Sequence, residues 1–564
     1  MTHTTSRNHP IQPIQRSLCW LAAALVSAMT CFGSPGVMAQ NAAPAKPQAQ
    51  NAAPPKLVVI LVVDQMRVDY LTWYAANYSA GLARLIREGA WFTEAAYPYL
   101  NTITCAGHST IGTGSFPYRH GMILNNWYDP KTGKSPYCTD DGTETEISYN
   151  GLSSVHGDSA KLLMQPAIGE QIMKKGGRSV ALSFKPRSAI TLTGHKSTAV
   201  LWFDERGGWT TSTAFTKAPV PFLKTFIDAN PIGADYDKIW DRSMPLSSYQ
   251  GPDDGKGEGK VSGWTNVFPH PLAVPDGKLD NAFYARWQRS PFADEYLARM
   301  AAAAIDSLEL GRGPSTDFLG VSFSSVDAVG HVYGPRSHEI QDLLYRLDRT
   351  IGELLDHLDA RVGKGNYVLA LSADHGVSEI PEQISGGRVS SKAVGSALEK
   401  VLEGALGPGP HVLSSVYTNI YVDEPARRLL EKDKKLRAGA LAALCSVEGV
   451  KYAYWSQDLA SKSARESSDA TLRAAALSHY PGRSGDITIA PQEKWIMSTA
   501  VTTHGTQYAY DQRVPVIVFG NSVRPGKYAD AASPADIVPT LAAVAKVPIA
   551  KTDGRVLTSG VQVK

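Results

Sequence analysis

Residues Lys56 to Val63 form an almost unbroken run of valine, leucine and isoleucine. A continuous apolar run of this length predicts a strand buried on both faces, as in a parallel sheet. Weaker versions of the run recur at Val180 to Phe184, Phe318 to Phe323, Tyr367 to Leu371 and Val514 to Phe519. The chain is therefore expected to build a buried sheet from segments that lie far apart in the sequence.

A long amphipathic helix is predicted between two of these strands. Its apolar residues recur at helical spacing, at Ile340, Leu343, Leu344, Leu347, Ile351, Leu354, Leu355 and Leu358. Alternation of strand and helix predicts an α/β fold, with a largely parallel central sheet and helices on both faces. Ligands of such sheets bind at the carboxyl ends of the strands, where Asp64, Asp327 and Asp374 fall.

Two regions interrupt this alternation and are interpreted as insertions. Residues at about 205–285 are rich in Gly, Pro, Trp and Asp, which predicts an irregular cap. Residues at about 385–490 carry a helical stretch, Ala426 to Cys445, and a strand-like stretch, Val412 to Val422, which predict a compact subdomain. The rest of 56–564 is interpreted as the main domain.

The N-terminus reads as an export signal at residues 1–39, followed by a flexible leader at 40–55. Arginines precede a short apolar run, and a small-residue cleavage site ends at Ala39. A lipoprotein signal with Cys31 as the acylated residue is the alternative. No later run is long enough to span a bilayer.

Composition narrows the classes of partner. The 564 residues carry 56 basic and 53 acidic side chains, for a net charge of +3. So balanced a charge gives no general basic field for nucleic acid or for an anionic membrane. Attraction for anions must be local, and no nucleic-acid-binding domain is expected.

Four short stretches carry side chains that bind metal ions. They contain Asp64, Asp327 with His331, Asp374 with His375, and His504. Carboxylate oxygens and imidazole nitrogens suit borderline cations such as zinc, and an Asp with a His four residues on can bind one ion from a single turn. An isolated Asp at a strand end is usually a helix cap, but four such stretches in one chain favour a two-metal site.

These stretches resemble the alkaline phosphatase superfamily, and within it the secreted, monomeric, threonine-nucleophile bacterial alkaline phosphatases of the PafA and PhoK type. In that family a threonine after the first strand-end Asp is the nucleophile, which corresponds to Thr104. An asparagine, here Asn125, and a Lys-x-Arg clamp, here Lys185 and Arg187, bind the substrate phosphate. The resemblance runs from about Leu57 to the C-terminal region.

The resemblance implies two zinc ions per chain. The first is held by Asp327, His331 and His504, and the second by Asp64, Asp374, His375 and Thr104. It also implies hydrolysis of a broad range of small phosphate monoesters through a phosphothreonine intermediate, by a monomer in the periplasm or outside the cell. A further structural ion, calcium or magnesium, is left open near the acidic insertion.

Several of these residues also have plain structural interpretations. Thr104 can simply open a helix, but a helix N-terminus also presents unpaired amides to a phosphate, so the two interpretations agree. Lys185 and Arg187 can be an ordinary charged strand end, although their spacing of two places both on one face of an extended chain. His108 and His120 are assigned to the scaffold rather than to the metal site.

Of five cysteines, Cys19 and Cys31 leave with the signal. Pairing of Cys105 with Cys138 is expected because both lie near the proposed site, in a compartment that permits disulfides. The alternative, in which these two and Cys445 are all free and buried, stays open.

Other functions compete with the phosphomonoesterase. A phosphodiesterase or nucleotide pyrophosphatase shares the metal ligands and the threonine, but the basic pair favours the dianionic monoester. A sulfatase requires a Cys-x-Pro-x-Arg type segment that the residues after Thr104 do not provide, and a cofactor-independent phosphomutase uses a serine and is not exported. A non-catalytic phosphate- or metal-binding protein is the alternative outside enzymes.

Overall fold

The computed structural model of the protein describes residues 53–149, 156–204, 206–275 and 277–563. The predicted signal peptide (1–39) and residues 40–52 of the predicted leader lie outside this part of the chain. No helix within the described ranges combines the length and apolarity that crossing a bilayer requires.

The strands are β1 (Leu57–Val63), β2 (Ala90–Ala95), β3 (Asp140–Asp141), β4 (Glu146–Ser148), β5 (Gly157–Asp158), β6 (Ser179–Ser183), β7 (Ala199–Asp204), β8 (Gly208–Ser212), β9 (Ile239–Trp240), β10 (His270–Pro271), β11 (Asp317–Phe323), β12 (Tyr367–Ser372), β13 (Gly387–Arg388), β14 (Val412–Val416), β15 (Asn419–Val422), β16 (Val450–Trp455), β17 (Ile487–Pro491), β18 (Trp495–Ile496), β19 (Val516–Gly520) and β20 (Gly526–Ala532).

The α-helices are α1 (Tyr70–Trp73), α2 (Gly81–Glu88), α3 (Thr104–Thr113), α4 (Pro117–His120), α5 (Ile168–Met173), α6 (Pro186–Thr193), α7 (Pro221–Ala229), α8 (Asn281–Gln288), α9 (Pro291–Ser307), α10 (Ser325–Tyr333), α11 (His338–Leu358), α12 (Ser391–Leu406), α13 (Glu424–Lys432), α14 (Lys434–Cys445), α15 (Ser456–Leu459), α16 (Lys462–Arg465), α17 (Ala470–Ser478), α18 (Ala509–Gln512) and α19 (Ile537–Ala545).

The main sheet has the strand order β20-β2-β19-β12-β1-β11-β6-β7-β8-β4. Its five central strands, from β12 to β7, run parallel to one another, and β1 pairs with β11 on one side and β12 on the other. The predicted α/β fold with a largely parallel central sheet is confirmed. The prediction that Val514 to Phe519 forms another parallel strand is wrong, because β19 runs antiparallel to both of its neighbours.

Both faces of the main sheet are covered, which explains the unbroken apolar run of β1. Leu57, Val59, Leu61 and Val63 lie in one hydrophobic cluster, which includes the apolar side of α11. The intervening residues of β1 lie in a second cluster on the other face, with residues of α3, α6 and α19. All seven side chains of β1 are fully buried, and each such burial stabilises the fold by about 1.5–3 kcal/mol.

Because β1, β11, β12 and β6 are parallel, their carboxyl ends lie at the same edge of the sheet. Asp64 follows β1 directly, and Asp374 follows β12 by two residues. The helix that carries Asp327 begins two residues after β11, and Lys185 lies two residues after β6. The sheet therefore brings four of the predicted site residues to one edge.

A second sheet, of order β14-β15-β17-β16, has its own hydrophobic core with α12 and α14. The helical stretch predicted as Ala426 to Cys445 is two helices, α13 and α14, which meet at Asp433. The Asp433 carboxylate accepts hydrogen bonds from the amides of Lys435 and Leu436 and so caps the second helix. That cap ends the continuous stretch.

The region predicted as an irregular cap, about 205–285, is more regular at its start than predicted. It contains α7 and also β8, which belongs to the main sheet. Between α7 and α8 the described strands are the two-residue β9 and β10. The division into a main domain with two insertions stays a prediction.

Candidate active site

Thr104 is the first residue of α3, after Ile103 in the extended N-cap conformation. The first amides of a helix have no partner within it, so they can donate to an anion placed at this end. Thr104 is only 2% exposed, and its Oγ1 lies 3.3 Å from Nε2 of His375. The hydroxyl thus lies where a helix N-terminus meets a predicted metal ligand.

Asp64, Asp374 and His375 form what we call the inner group, and all three are fully buried. Nε2 of His375 lies 3.2 Å from Oδ2 of Asp374 and 3.6 Å from Oδ1 of Asp64. Both of these carboxylate oxygens are buried without a hydrogen-bond partner within the described residues. An unpartnered buried carboxylate oxygen is costly, so this donor set fits a divalent cation.

Asp327, His331 and His504 form the outer group. Asp327 and His331 lie four residues apart in α10, with Nε2 of His331 3.1 Å from Oδ1 of Asp327. Nε2 of His504 lies 3.8 Å from the same oxygen. The ligand atoms of this trio lie within 4.8 Å of one another, which suits one ion held by two imidazoles and a carboxylate.

The inner trio does not form one such compact set. Ligand atoms within 4.8 Å of one another instead join Asp64 with Asp327 and His375, and Asp64 with His108 and Asp374. The structure thus brings all six predicted side-chain ligands together, with Asp64 shared between overlapping sets. In the part of the chain that the structure describes, these two sets and the outer group are the only ones found.

The three histidines are oriented in the same way. Nδ1 of each contacts a main-chain carbonyl, of Gly376 for His375 at 3.0 Å, of Thr502 for His331 at 3.0 Å and of Thr102 for His504 at 2.8 Å. A carbonyl only accepts, so Nδ1 carries the proton and Nε2 is left with a free lone pair. Such a contact is typical of metal-binding histidines.

Three carboxylates, those of Asp64, Asp327 and Asp374, lie close together in the site, and a bound cation would offset their negative charge. Burial, with the neighbouring Asp327 and Asp374 carboxylates, raises the pKa of Asp64 to about 6. Burial also acts on Asp327, but the Lys185 ammonium holds the pKa of that carboxyl well below its usual range. The like charges of these carboxylates repel, so positive charge between them is favoured.

Lys185 lies between the two groups. Its ammonium is 2.6 Å from Oδ2 of Asp64 and 2.6 Å from Oδ2 of Asp327. The interpretation of Lys185 and Arg187 as neighbours on one face of an extended chain is wrong, because Lys185 is the N-cap of α6 and Arg187 lies in its first turn. Both nevertheless line one cleft with Asp327 and His331, and Nε of Arg187 is buried without a partner.

Asn125 lies beside Thr104. Its Oδ1 accepts a hydrogen bond of 2.9 Å from the amide of Cys105, the residue after Thr104. Cys105 is disulfide-bonded to Cys138, as expected, and the amide of Cys138 donates to the Asn125 carbonyl at 2.8 Å. The remaining cysteine of the described residues, Cys445, is free and exposed rather than buried. The disulfide therefore joins the start of α3 to the segment that carries Asn125.

One residue at the site was not predicted from the sequence. Gln65 donates from its amide to Oδ1 of Asp374 at 3.0 Å and from its side chain to Oδ1 of Asp327 at 2.7 Å. It does so with a φ of 69°, a strained conformation for a residue other than glycine. Its position after Asp64 was the available clue.

His108, assigned to the scaffold, has a direct link to the inner group. Its Nδ1 donates to the Thr104 carbonyl at 3.0 Å and lies 3.1 Å from Oδ2 of Asp374, while Nε2 contacts Ser322. His120, the last residue of α4, contacts the hydroxyl of Thr110 and the amide of Met122. His120 thus packs within the scaffold, whereas His108 contacts both the Thr104 carbonyl and the Asp374 carboxylate.

The chain is similar to known proteins over most of its length. The chain matches the type I phosphodiesterase / nucleotide pyrophosphatase family over residues 58–511. Alkaline phosphatase PafA of Elizabethkingia meningoseptica is 31% identical over 89% of this chain and 93% of its own length. A protein of Myroides odoratus named calcium-transporting ATPase is 33% identical over 93% of this chain and 96% of its own length.

A solved structure is also similar. The crystal structure of wild-type alkaline phosphatase PafA superposes with a TM-score of 0.82 at 29% identity, over 90% of this chain and 99% of the PafA chain. The similarity therefore extends along nearly the whole of both proteins.

Proposed function

Since the chain belongs to the type I phosphodiesterase / nucleotide pyrophosphatase family, in the alkaline phosphatase superfamily and of the PafA and PhoK type, we propose that it hydrolyses phosphate monoesters with Thr104 as the nucleophile. The observation that carries the proposal is the position of Thr104. Its hydroxyl lies at a helix N-terminus, 3.3 Å from His375, beside a cleft lined by Lys185 and Arg187.

Six side chains would hold two divalent metal ions, which we propose to be zinc. The outer group would bind the first ion, and the inner group with the Thr104 hydroxyl the second. When bound, the ions would supply positive charge that favours ionisation of the hydroxyl and stabilises charge on the leaving oxygen. A further structural ion, calcium or magnesium, stays a prediction.

The proposed reaction has two chemical steps. Oγ1 of Thr104 loses its proton and forms a bond to phosphorus while the bond from phosphorus to the ester oxygen breaks. The electron pair stays on the ester oxygen, which takes up a proton as the alcohol leaves, and a phosphothreonine is left on the enzyme. Water then attacks this phosphothreonine, which releases inorganic phosphate and restores the hydroxyl. Such reactions pass through a loose transition state in which positioning and electrostatics dominate, and the burial of Thr104 suits both.

Asn125, Lys185 and Arg187 would bind the non-bridging oxygens. The guanidinium of Arg187 offers a planar fork and the ammonium of Lys185 a point charge. Asn125 Oδ1 is engaged by the Cys105 amide, so its side-chain NH2 group is the donor left for the phosphate. Two cations suit the dianion of a monoester better than the single charge of a diester.

Phosphodiester or nucleotide pyrophosphate hydrolysis is the second candidate, because the family description itself names those activities. Rates for p-nitrophenyl phosphate and for bis(p-nitrophenyl) phosphate, measured with and without a chelator, test the choice. A monoester rate well above the diester rate, lost in chelator, is expected. A preferred diester would reverse the assignment, and turnover of neither ester would favour a non-catalytic phosphate- or metal-binding protein.

We also propose that the protein acts as a monomer in the periplasm or outside the cell after removal of residues 1–39. The Cys105–Cys138 disulfide supports an oxidising compartment. N-terminal sequencing of the mature protein tests the removal of residues 1–39. Fractionation of cells tests the location, and light scattering of the purified protein tests the monomeric state.

A further inference from the structure

Gln65 links a carboxylate of the inner group to a carboxylate of the outer group. Its main-chain amide donates to Oδ1 of Asp374 at 3.0 Å, and Nε2 of its side chain donates to Oδ1 of Asp327 at 2.7 Å. Since Gln65 directly follows Asp64, one two-residue segment contains or contacts all three carboxylates of the site. The relative position of the two groups therefore depends on this segment.

The main chain on both sides of Gln65 is held by hydrogen bonds. The amide of Asp64 donates to the carbonyl of Phe323 at 3.0 Å. The amide of Met66 donates to the carbonyl of Val63 at 3.2 Å. Because Phe323 is the last residue of β11, the segment is tied to the strand that leads into α10. The Gln65 side chain is fully buried, so it has little freedom to move away from the outer group.

The conformation of Gln65 is costly in two ways. Its φ of 69° lies in the left-handed region, which glycine adopts without strain and a residue with a side chain does not. Its side-chain carbonyl oxygen, Oε1, is buried without a hydrogen-bond partner within the described residues. A glycine at this position would avoid both costs. The bond from Nε2 to Asp327, by contrast, requires a side chain that carries a donor.

The oxygen that Gln65 contacts is also the one that lies beside the outer histidines. Nε2 of His331 lies 3.1 Å from Oδ1 of Asp327, and Nε2 of His504 lies 3.8 Å from it. A carboxylate oxygen has two lone pairs, so one can accept from Gln65 while the other binds a metal ion. Hydrogen bonds of this kind orient a ligand, and their loss typically lowers metal affinity about 10- to 100-fold.

We propose that Gln65 is a positioning residue that holds Asp327 in place relative to the inner group. The affinity of the outer group for zinc then depends on a side chain that is not itself a ligand. The inference rests on the two-metal site of the proposed function. In a purely structural role, the bond to Asp327 would only satisfy a buried carboxylate and stabilise the folded chain, with no effect on zinc affinity.

The test measures zinc binding to the chelator-stripped protein. Titration with zinc against a competing chelator gives two dissociation constants, and His331→Ala, which lacks an outer ligand, identifies the outer one. Gln65→Met keeps the length of the side chain and removes its donor. Gly330→Ala is a second route, because a Cβ at residue 330 would overlap Oε1 of Gln65 and displace the side-chain amide.

Gln341→Met is the matched control. Gln341 is a fully buried glutamine of α11, and its side chain bonds main-chain groups of residues 250 and 336 rather than a predicted ligand. The midpoint of thermal unfolding of each stripped variant is measured alongside, because a purely structural role would change this midpoint alone.

The outer dissociation constant is expected to rise about 10- to 100-fold in Gln65→Met and to rise in Gly330→Ala, with a smaller change in the inner constant. In a Gln65→Gly background, Gly330→Ala should have no further effect, because the amide that it displaces is absent. An outer constant unchanged in both Gln65→Met and Gly330→Ala, or an equal rise in Gln341→Met, overturns the inference. A wild type that binds fewer than two zinc ions would instead overturn the two-metal site of the proposed function.

Discussion

The inner and outer groups use the same types of side chain but differ in their surroundings. Asp64, Asp374 and His375 are fully buried at the ends of adjacent strands, whereas the His331 side chain of the outer group is 31% exposed. The inner group contacts the Thr104 hydroxyl, and the outer group borders the cleft that Lys185 and Arg187 line. Thr104, the proposed nucleophile, thus lies beside the enclosed half of the site, and the cleft lies beside the open half.

The two groups also differ in the secondary structure that positions their residues. Asp64 and Asp374 follow β1 and β12 closely, so their positions are set by main-chain hydrogen bonds between strands. The outer residues come from a helix and from a segment without regular structure around His504. Precision is needed most at the nucleophile, and that is where the most constrained backbone lies.

Removal of the metal ions should have the largest effect and should separate the two groups. Excess chelator is expected to abolish monoester hydrolysis and lower the midpoint of thermal unfolding, and zinc should restore both. Because the outer group is more exposed, its ion should leave first, so zinc content followed against time should fall in two stages. Full activity in chelator after prolonged dialysis would contradict the two-metal site.

Replacement of Thr104 tests the enclosed half alone. Thr104→Ala should lower turnover at least about a thousandfold and remove the phosphoenzyme, because no other hydroxyl takes its place. Thr104→Ser keeps the oxygen and should retain partial activity, which makes it the matched control. Quenched samples analysed by mass spectrometry for phosphothreonine provide the measurement. A near-normal rate in Thr104→Ala would mean that water attacks the substrate directly.

Replacement of Lys185 and Arg187, the clamp residues, tests the role of the positive charge beside the inner and outer groups. Lys185→Ala with Arg187→Ala should lower monoester hydrolysis more than diester hydrolysis, because the dianion presents more charge to stabilise. Each lost contact is expected to cost about 2–4 kcal/mol, or tens to several hundredfold in rate. Equal losses on both esters, with zinc content unchanged, would mean that the pair only positions the substrate and would favour the diesterase.

The smallest expected effect is on the stability of the protein. The test compares His375 of the inner group with His331 of the outer group. The His375 ring is fully buried and stacks on that of His504 at a centroid distance of 3.4 Å. His375→Asn should lower the free energy of unfolding of the chelator-treated protein by about 2–4 kcal/mol, and His331→Asn by less than about 1 kcal/mol. Urea unfolding measures both, and equal losses would remove the distinction between an enclosed and an open half.

Much of the central sheet could be predicted from the sequence, because burial on both faces forces an apolar composition. The observed β1, β6, β11 and β12 match the predicted runs to within two residues at each end. The direction of β19 could not be predicted in this way, since a buried strand has the same composition whichever way it runs. Direction depends on the path of the connecting chain, and local periodicity does not record that path.

The site was predictable only where a motif marks it. The six predicted ligands and Thr104 lie in short motifs, and the structure brings them together. Gln65 and His108 contact Asp374 across separations that only folding closes, 309 residues in the case of Gln65. Their roles could not be inferred from spacing alone.

The main-chain acceptors of His331, His375 and His504 have a consequence for mutational scans. Each acceptor is a carbonyl, which every amino acid possesses, so no side-chain substitution at Thr502, Gly376 or Thr102 deletes it. A scan of single variants would therefore identify the predicted ligand side chains but could not remove the main-chain carbonyls that orient them. The position of the proton on each imidazole depends on the path of the backbone. Substitutions that preserve this path leave the three contacts in place.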